Sequence, residues 1–147
     1  MKSKTISFAL SAIFVFSLTP LAVKADKSPN QITREILAKE ALSNIPNQNF
    51  TAVTVQLDPG VTVPRHSHSG FVFVFVLDGT IVSQLNDNKI IEYKPGESWV
   101  ELPNAIHSLT KNPSQTTKAK FLAITVAKED AKLTIMEKSI INQKGTQ

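Results

Sequence analysis

From Asn49 onward the chain is written in short apolar runs separated by turn residues at intervals of about ten positions. Residues 50–57 alternate alanine, threonine and valine and stop at Asp58-Pro59-Gly60. Residues 61–63 are a shorter run, and 71–77 read FVFVFVL and end at Asp78-Gly79. Residues 80–85 end at Asn86-Asp87-Asn88, 90–93 at Pro95-Gly96, and 99–102 at Pro103-Asn104, while 119–126 run out into charged residues. Many short, evenly spaced strands predict an all-β sandwich or barrel, which the pattern confines to residues 49–128. Within FVFVFV the alternation sends the valines at 72, 74 and 76 to one face and the phenylalanines to the other.

The flanks are less regular. Residues 26–48 form a lead containing either a short helix, from the spacing of Ile36, Leu37, Glu40 and Ala41, or a first strand around 34–37. Residues 129–147 form a C-terminal segment with one apolar cluster, 133–136, that predicts a last edge strand before a polar tail. Residues 1–25 have the form of a secretory signal: Lys2 and Lys4 at the start, an apolar run over 6–18, Pro20 as a breaker, and Val23-Lys24-Ala25 before the expected cleavage point. An apolar run of about 13 residues is too short for a bilayer that needs about 20. The expectation is a periplasmic or secreted protein with no membrane contact after cleavage.

Charge changes with that cleavage. The full chain of 147 residues carries 16 Lys and Arg against 12 Asp and Glu; removing Lys2, Lys4 and Lys24 leaves 13 against 12, so the formal net charge falls from +4 to +1. A near-neutral chain with no basic block argues against nucleic acid as a partner. The absence of cysteine excludes thiolate metal sites and cysteine nucleophiles, and leaves no lipid attachment point. One domain's length leaves room for one core and no second catalytic module.

The candidate chemistry lies in three histidines. His66 and His68 are two apart, so in an extended segment both point to one face, the face of Val72, Val74 and Val76. His107 follows some forty residues later, just after the Pro103-Asn104-Ala105 turn. Three imidazoles brought together suit iron, zinc, nickel or copper. Arg65, of opposite parity, reads as a surface charge, and Gly60, Gly79 and Gly96 as turn positions that need positive φ.

These elements resemble the cupin superfamily, in its small single-domain, type-2-like form. The resemblance rests on Pro59-Gly60 followed by His66, His68 and Leu77-Asp78-Gly79, then Pro95-Gly96, Pro103, His107 and Asn112, and it spans about residues 50–126. It implies a jelly-roll-like double-stranded β-helix barrel with a metal site in its mouth. Two departures stand out. Counted back from Gly79, the position of the usual glutamate ligand is Val72, which cannot coordinate; and Pro103 and Asn112 each fall one residue later than the common pattern.

The resemblance therefore implies a divalent transition metal, iron first, held by His66, His68 and His107 with about three coordination positions open. All-histidine sites of this kind are similar to those of thiol dioxygenases, and four-ligand sites to those of quercetin-type dioxygenases. The implied function is dioxygenase-like oxidation of a small chelating substrate, with a non-catalytic small-molecule or metal-binding module as the alternative. Glu101 could turn toward the ion or orient a histidine, and Gln84 could line the cavity. The competing readings are a solvated loop carboxylate and an outward amide. The apolar 71–77 run, covered on both faces, also allows a homodimer.

Overall fold

The computed structural model describes residues 31–137; the expected signal segment and the last ten residues lie outside the described residues. Among the described residues every regular element is a strand. In chain order these are β1 (Ile32–Ala41), β2 (Gln48–Leu57), β3 (Thr62–Val63), β4 (His66–Ser67), β5 (Phe71–Asp78), β6 (Ile81–Leu85), β7 (Ile91–Tyr93), β8 (Ser98–Glu101), β9 (Ile106–Lys111), β10 (Ala119–Lys128) and β11 (Ile135–Met136). They form two antiparallel sheets, one of order β1-β2-β10-β5-β8 and one of order β11-β4-β9-β6-β7, with β3 added on β9.

The core between the sheets follows from the period-2 alternation. Val72, Val74 and Val76 are at most 2% exposed, whereas Phe71 on the opposite face of β5 is 40% exposed. Val55 and Leu57 of β2, Phe121 of β10, Ile81 of β6 and Trp99 of β8 close the same cluster. These side chains are mostly β-branched or aromatic, the types that pack well on a pleated, half-buried surface.

β1 decides between the two readings of the N-terminal flank. The helical spacing of Ile36 and Leu37 is overridden: the segment is a strand paired with β2 from Ile32↔Leu57 to Ala41↔Asn49, with a bulge at Leu37. The physical reason is the edge of β2, a row of backbone donors and acceptors that an amphipathic helix cannot satisfy but a neighbouring strand can. Ile36 and Leu37 remain 65% and 55% exposed, so backbone pairing rather than burial holds them there.

Two local features position the site. The chain crosses from β4 in one sheet to β5 in the other at Gly70, where a Cβ would collide with the Val126 carbonyl oxygen and the Ala127 side chain, so glycine alone lets the strands approach. Asn112, fully buried, donates its side-chain NH2 to the carbonyls of Leu57, Asp58 and Thr117 at 3.2, 3.1 and 2.8 Å, and so ties the loop after β9 to the end of β2.

Candidate metal centre

β4 and β9 pair antiparallel with His66 directly opposite His107, so two of the three histidines are brought together by backbone register. His68 lies just past β4 on the same face. The His66 ring centroid is 5.0 Å from that of each of the other two. One nitrogen from each ring lies within 4.8 Å of the others, and His66 and His107 are buried.

Each ring is held from behind. His66 Nδ1 is 2.8 Å from the Pro64 carbonyl oxygen, and His68 Nδ1 contacts that of Leu133. A carbonyl only accepts, so both Nδ1 atoms carry a proton, and Nε2 is the nitrogen that offers a lone pair when the ring is uncharged. His107 differs: its Nε2 meets the Ser83 hydroxyl at 2.8 Å, and its Nδ1 is 3.3 Å from Glu101 Oε1. Such outer partners, which fix ring orientation and tautomer, are what metal-binding histidines require.

Glu101 is not a solvated loop carboxylate. It ends β8, is 2% exposed, and pairs across the ladder with Val72 of β5. Its Oε1 accepts a hydrogen bond from Trp99 Nε1 at 2.9 Å, while Oε2 lies 3.5 Å from His68 Nε2 and, though buried, has no hydrogen-bond partner among the described residues. Val72 itself faces the cavity, 1% exposed. Gln84 is corrected: its side chain donates to the Asn88 carbonyl and does not line the cavity. Its neighbour Ser83 has the inward parity and reaches His107. Arg65 is exposed and donates to Ser108 Oγ at 2.9 Å, outside the site.

Burial dominates the electrostatics. It pushes the His107 imidazole down to about 3, with the nearby His66 and His68 adding to the effect. It lowers His66 as well, partly offset by the hydrogen bond to Pro64. Burial raises the Glu101 carboxyl, opposed by His68 and by the Trp99 hydrogen bond. Although Glu101 and His68 sit at ion-pair distance, desolvation is the larger effect. Uncharged imidazoles are the ligating form, so His66 and His107 are ready to accept a cation without first losing a proton.

The donor set passes a simple test of fit. Nitrogen ligands at about 2.1 Å lie about 3.0 Å apart when cis and about 4.2 Å when trans, so the 4.8 Å limit closes by a small rotation of side chains. The orphaned oxygen of Glu101 adds an acceptor that makes no hydrogen bond among the described residues. The set is compatible with a divalent metal.

Beside it lies a cavity of about 370 Å³. Its wall is largely apolar, from Val53, Val55, Val74, Phe121 and Ala123, with the imidazoles and Glu101 among the lining groups. Arg34 of β1 is the only lysine or arginine among the described residues that line it. Sequence reasoning passed over Arg34 and Ser83, and saw in Trp99 a core or rim aromatic without its hydrogen bond to Glu101. The parity of Trp99 and Glu101, two apart in a strand, was the available signal for the last.

A family model described as "Cupin domain" matches residues 53–125. Among solved structures, a cupin superfamily protein from Desulfitobacterium hafniense is 20% identical, covers 74% of this chain and 89% of its own, and has a TM-score of 0.56. A protein with a double-stranded β-helix domain from Klebsiella pneumoniae is 19% identical, with 79% and 91% covered and a TM-score of 0.57. A DMSP lyase from Ruegeria pomeroyi is 16% identical, with 59% and 42% covered and a TM-score of 0.53. At these identities the structural likeness is one of fold. No curated protein matches significantly.

Proposed function

The chain belongs to the cupin superfamily, and from that premise we propose that it is an exported cupin holding a divalent transition metal through His66, His68 and His107. The observation that carries this reading is the convergence of three buried or half-buried imidazoles, each oriented by a backbone carbonyl or a hydroxyl behind it. When bound, such an ion supplies Lewis acidity and, if it is iron, a redox centre for oxygen chemistry. The chain's own residues do the rest. Pro64, Leu133 and Ser83 hold the rings, and the valine wall keeps water from the far side of the cavity.

The cavity favours a small, mostly apolar molecule with one chelating or anionic end, because its charged groups lie with the imidazoles and at Arg34. Oxygen-dependent, dioxygenase-like chemistry is the reading we favour for such a substrate. The alternative, a non-catalytic binding module, draws on the apolar wall, which offers no acid or base away from the donor set. The Ruegeria pomeroyi lyase extends the reactions worth assaying to lyase chemistry, without naming a substrate for this chain.

The test is metal content of the purified protein beside its His107→Ala variant. We expect close to one equivalent in the first and loss in the second. Less than about a tenth of an equivalent after reconstitution with iron, zinc, nickel or copper would sink the metal reading. Oxygen uptake with thiols, flavonoids and diketones then separates an oxidising enzyme from a binding module.

A further inference from the structure

We propose that Glu101 is the carboxylate ligand of this centre, supplied from β8 in place of the donor that Val72 of β5 cannot provide. The proposal rests on the reading of the three histidines as metal ligands.

Val72 and Glu101 are direct cross-strand partners, and both are buried toward the same cavity. Directly opposed residues in an antiparallel pair have Cβ atoms about 4.5–5.5 Å apart. A glutamate side chain is long enough to span that difference, so a carboxylate rooted at either position can reach the same volume. The small valine leaves that volume open, and the glutamate enters it from the neighbouring strand.

The two oxygens of Glu101 have different surroundings. Oε1 is held by Trp99 Nε1 at 2.9 Å, which fixes the plane of the carboxyl group. Oε2 is buried without a hydrogen bond among the described residues, and it lies 3.5 Å from His68 Nε2, the ring nitrogen turned away from the Leu133 carbonyl. A buried polar oxygen left unpaired costs on the order of 1–3 kcal/mol. A cation shared with His68 removes that penalty, as would a proton held between Oε2 and His68 Nε2, and metal titration separates the two.

His107 agrees with this arrangement. Its Nε2 is engaged by Ser83, so the nitrogen that faces Glu101 is Nδ1, at 3.3 Å from Oε1. The 3.5 Å from Oε2 to His68 Nε2 is near the spacing of about 3.0 Å expected for adjacent ligands at about 2.1 Å from one ion, whereas the 3.3 Å to His107 belongs to Oε1, the oxygen that Trp99 holds. The carboxyl group thus stands beside two of the three imidazoles, with Oε2 at ligand-to-ligand distance from His68 and outside the mutual 4.8 Å grouping of the three histidines.

A ligand and a positioning residue predict different results. The full chain, its Glu101→Gln variant and the exchange variant Val72→Glu/Glu101→Val would be titrated calorimetrically with manganese(II) and with zinc(II). Each would also be loaded with cobalt(II) for its visible absorption, which reports coordination number. Glu101→Gln keeps size and an acceptor for Trp99, so it should stay folded by circular dichroism.

Because carboxylate donors favour manganese more than zinc, we expect Glu101→Gln to weaken manganese by about 100-fold and zinc by about 10-fold. Its cobalt absorption should intensify as one oxygen ligand is lost. The exchange variant should recover manganese affinity to within about 10-fold of the parent and restore the weaker absorption. Manganese affinity within about 3-fold in Glu101→Gln, with an unchanged cobalt spectrum, would overturn the ligand role while the histidine reading stands. Weakened binding that the exchange does not recover would make Glu101 a positioning residue for His68 and His107 and also overturn it. If the parent itself binds none of the three ions, the histidine reading fails first.

Discussion

Trp99→Phe tests the internal economy of the centre without touching a histidine. Trp99 is 7% exposed, lies 4.5 Å from Tyr93 and 6.3 Å from Phe121 by ring centroids, and makes the one hydrogen bond that Glu101 Oε1 accepts. Phenylalanine keeps the ring contacts and deletes the donor. With metal removed by chelator, the lost bond to a buried carboxyl costs about 1–3 kcal/mol, the upper end applying if the group is ionised. The smaller ring adds about 1–2 kcal/mol of lost packing. The single variant should therefore lose about 3 kcal/mol in urea denaturation, or roughly 12 °C of melting temperature at about 4 °C per kcal/mol for a domain of this size.

A double-mutant cycle with Glu101→Met separates the two contributions. Removing a buried carboxyl that has an orphaned oxygen should itself cost little or stabilise the apo protein. In that background Trp99→Phe should cost only its packing share, leaving a coupling of about 1–3 kcal/mol. A coupling below about 0.5 kcal/mol would refute the idea that Trp99 anchors the carboxyl.

Two further outcomes follow from buried polar groups. Burial holds His107 down to about 3 from an ordinary 6.5, so below pH 6.5 the unfolded chain binds a proton that the folded chain refuses. This stability is fully present above pH 6.5 and is lost as pH falls; urea denaturation of the apo protein should show a loss of roughly 1.5–2 kcal/mol between pH 6.5 and 5, flattened in His107→Gln. Glu101 acts in the opposite sense: its raised carboxyl gives stability that is present below 4.5 and declines as pH rises toward its shifted value, a limb that Glu101→Met should remove. Asn112→Ala leaves three carbonyls without their side-chain donor and should cost about 3 kcal/mol in thermal melts; a loss under 1 kcal/mol would mean that the loop holds without this clamp.

Much of this was readable from residues alone because parity is a local property. His66 and His68 share a face with Val72, Val74 and Val76 in sequence and in structure, and Ser69-Gly70 does not reset the phase. What spacing could not reveal is which residues face each other across strands. Glu101 was found near the histidines only as one option, because its nearness to Val72 depends on the β5–β8 register, set by a connection of some twenty residues. Gln84 and Ser83 exchanged roles for a related reason: one residue of phase decides which of two neighbours faces inward, and β6 carries an irregularity at Gln84 and Leu85. β9 escaped the pattern because its IHSLTK run has weak alternation, and β1 stood as one of two readings because its composition suits a helix as well as a strand.

The order of the five-stranded sheet sets a timetable for folding. β10 sits between β2 and β5, yet it is the last long strand to be made. Until residue 128 has emerged, β2 and β5 have no common neighbour, and the apolar 71–77 run waits with an open edge. Loop closure over such separations is slow, and an unpaired apolar edge is prone to aggregate. Cohesion of this barrel therefore comes late and nearly all at once: a chain cut short before β10 should be a substrate for chaperones or proteases, not a smaller barrel.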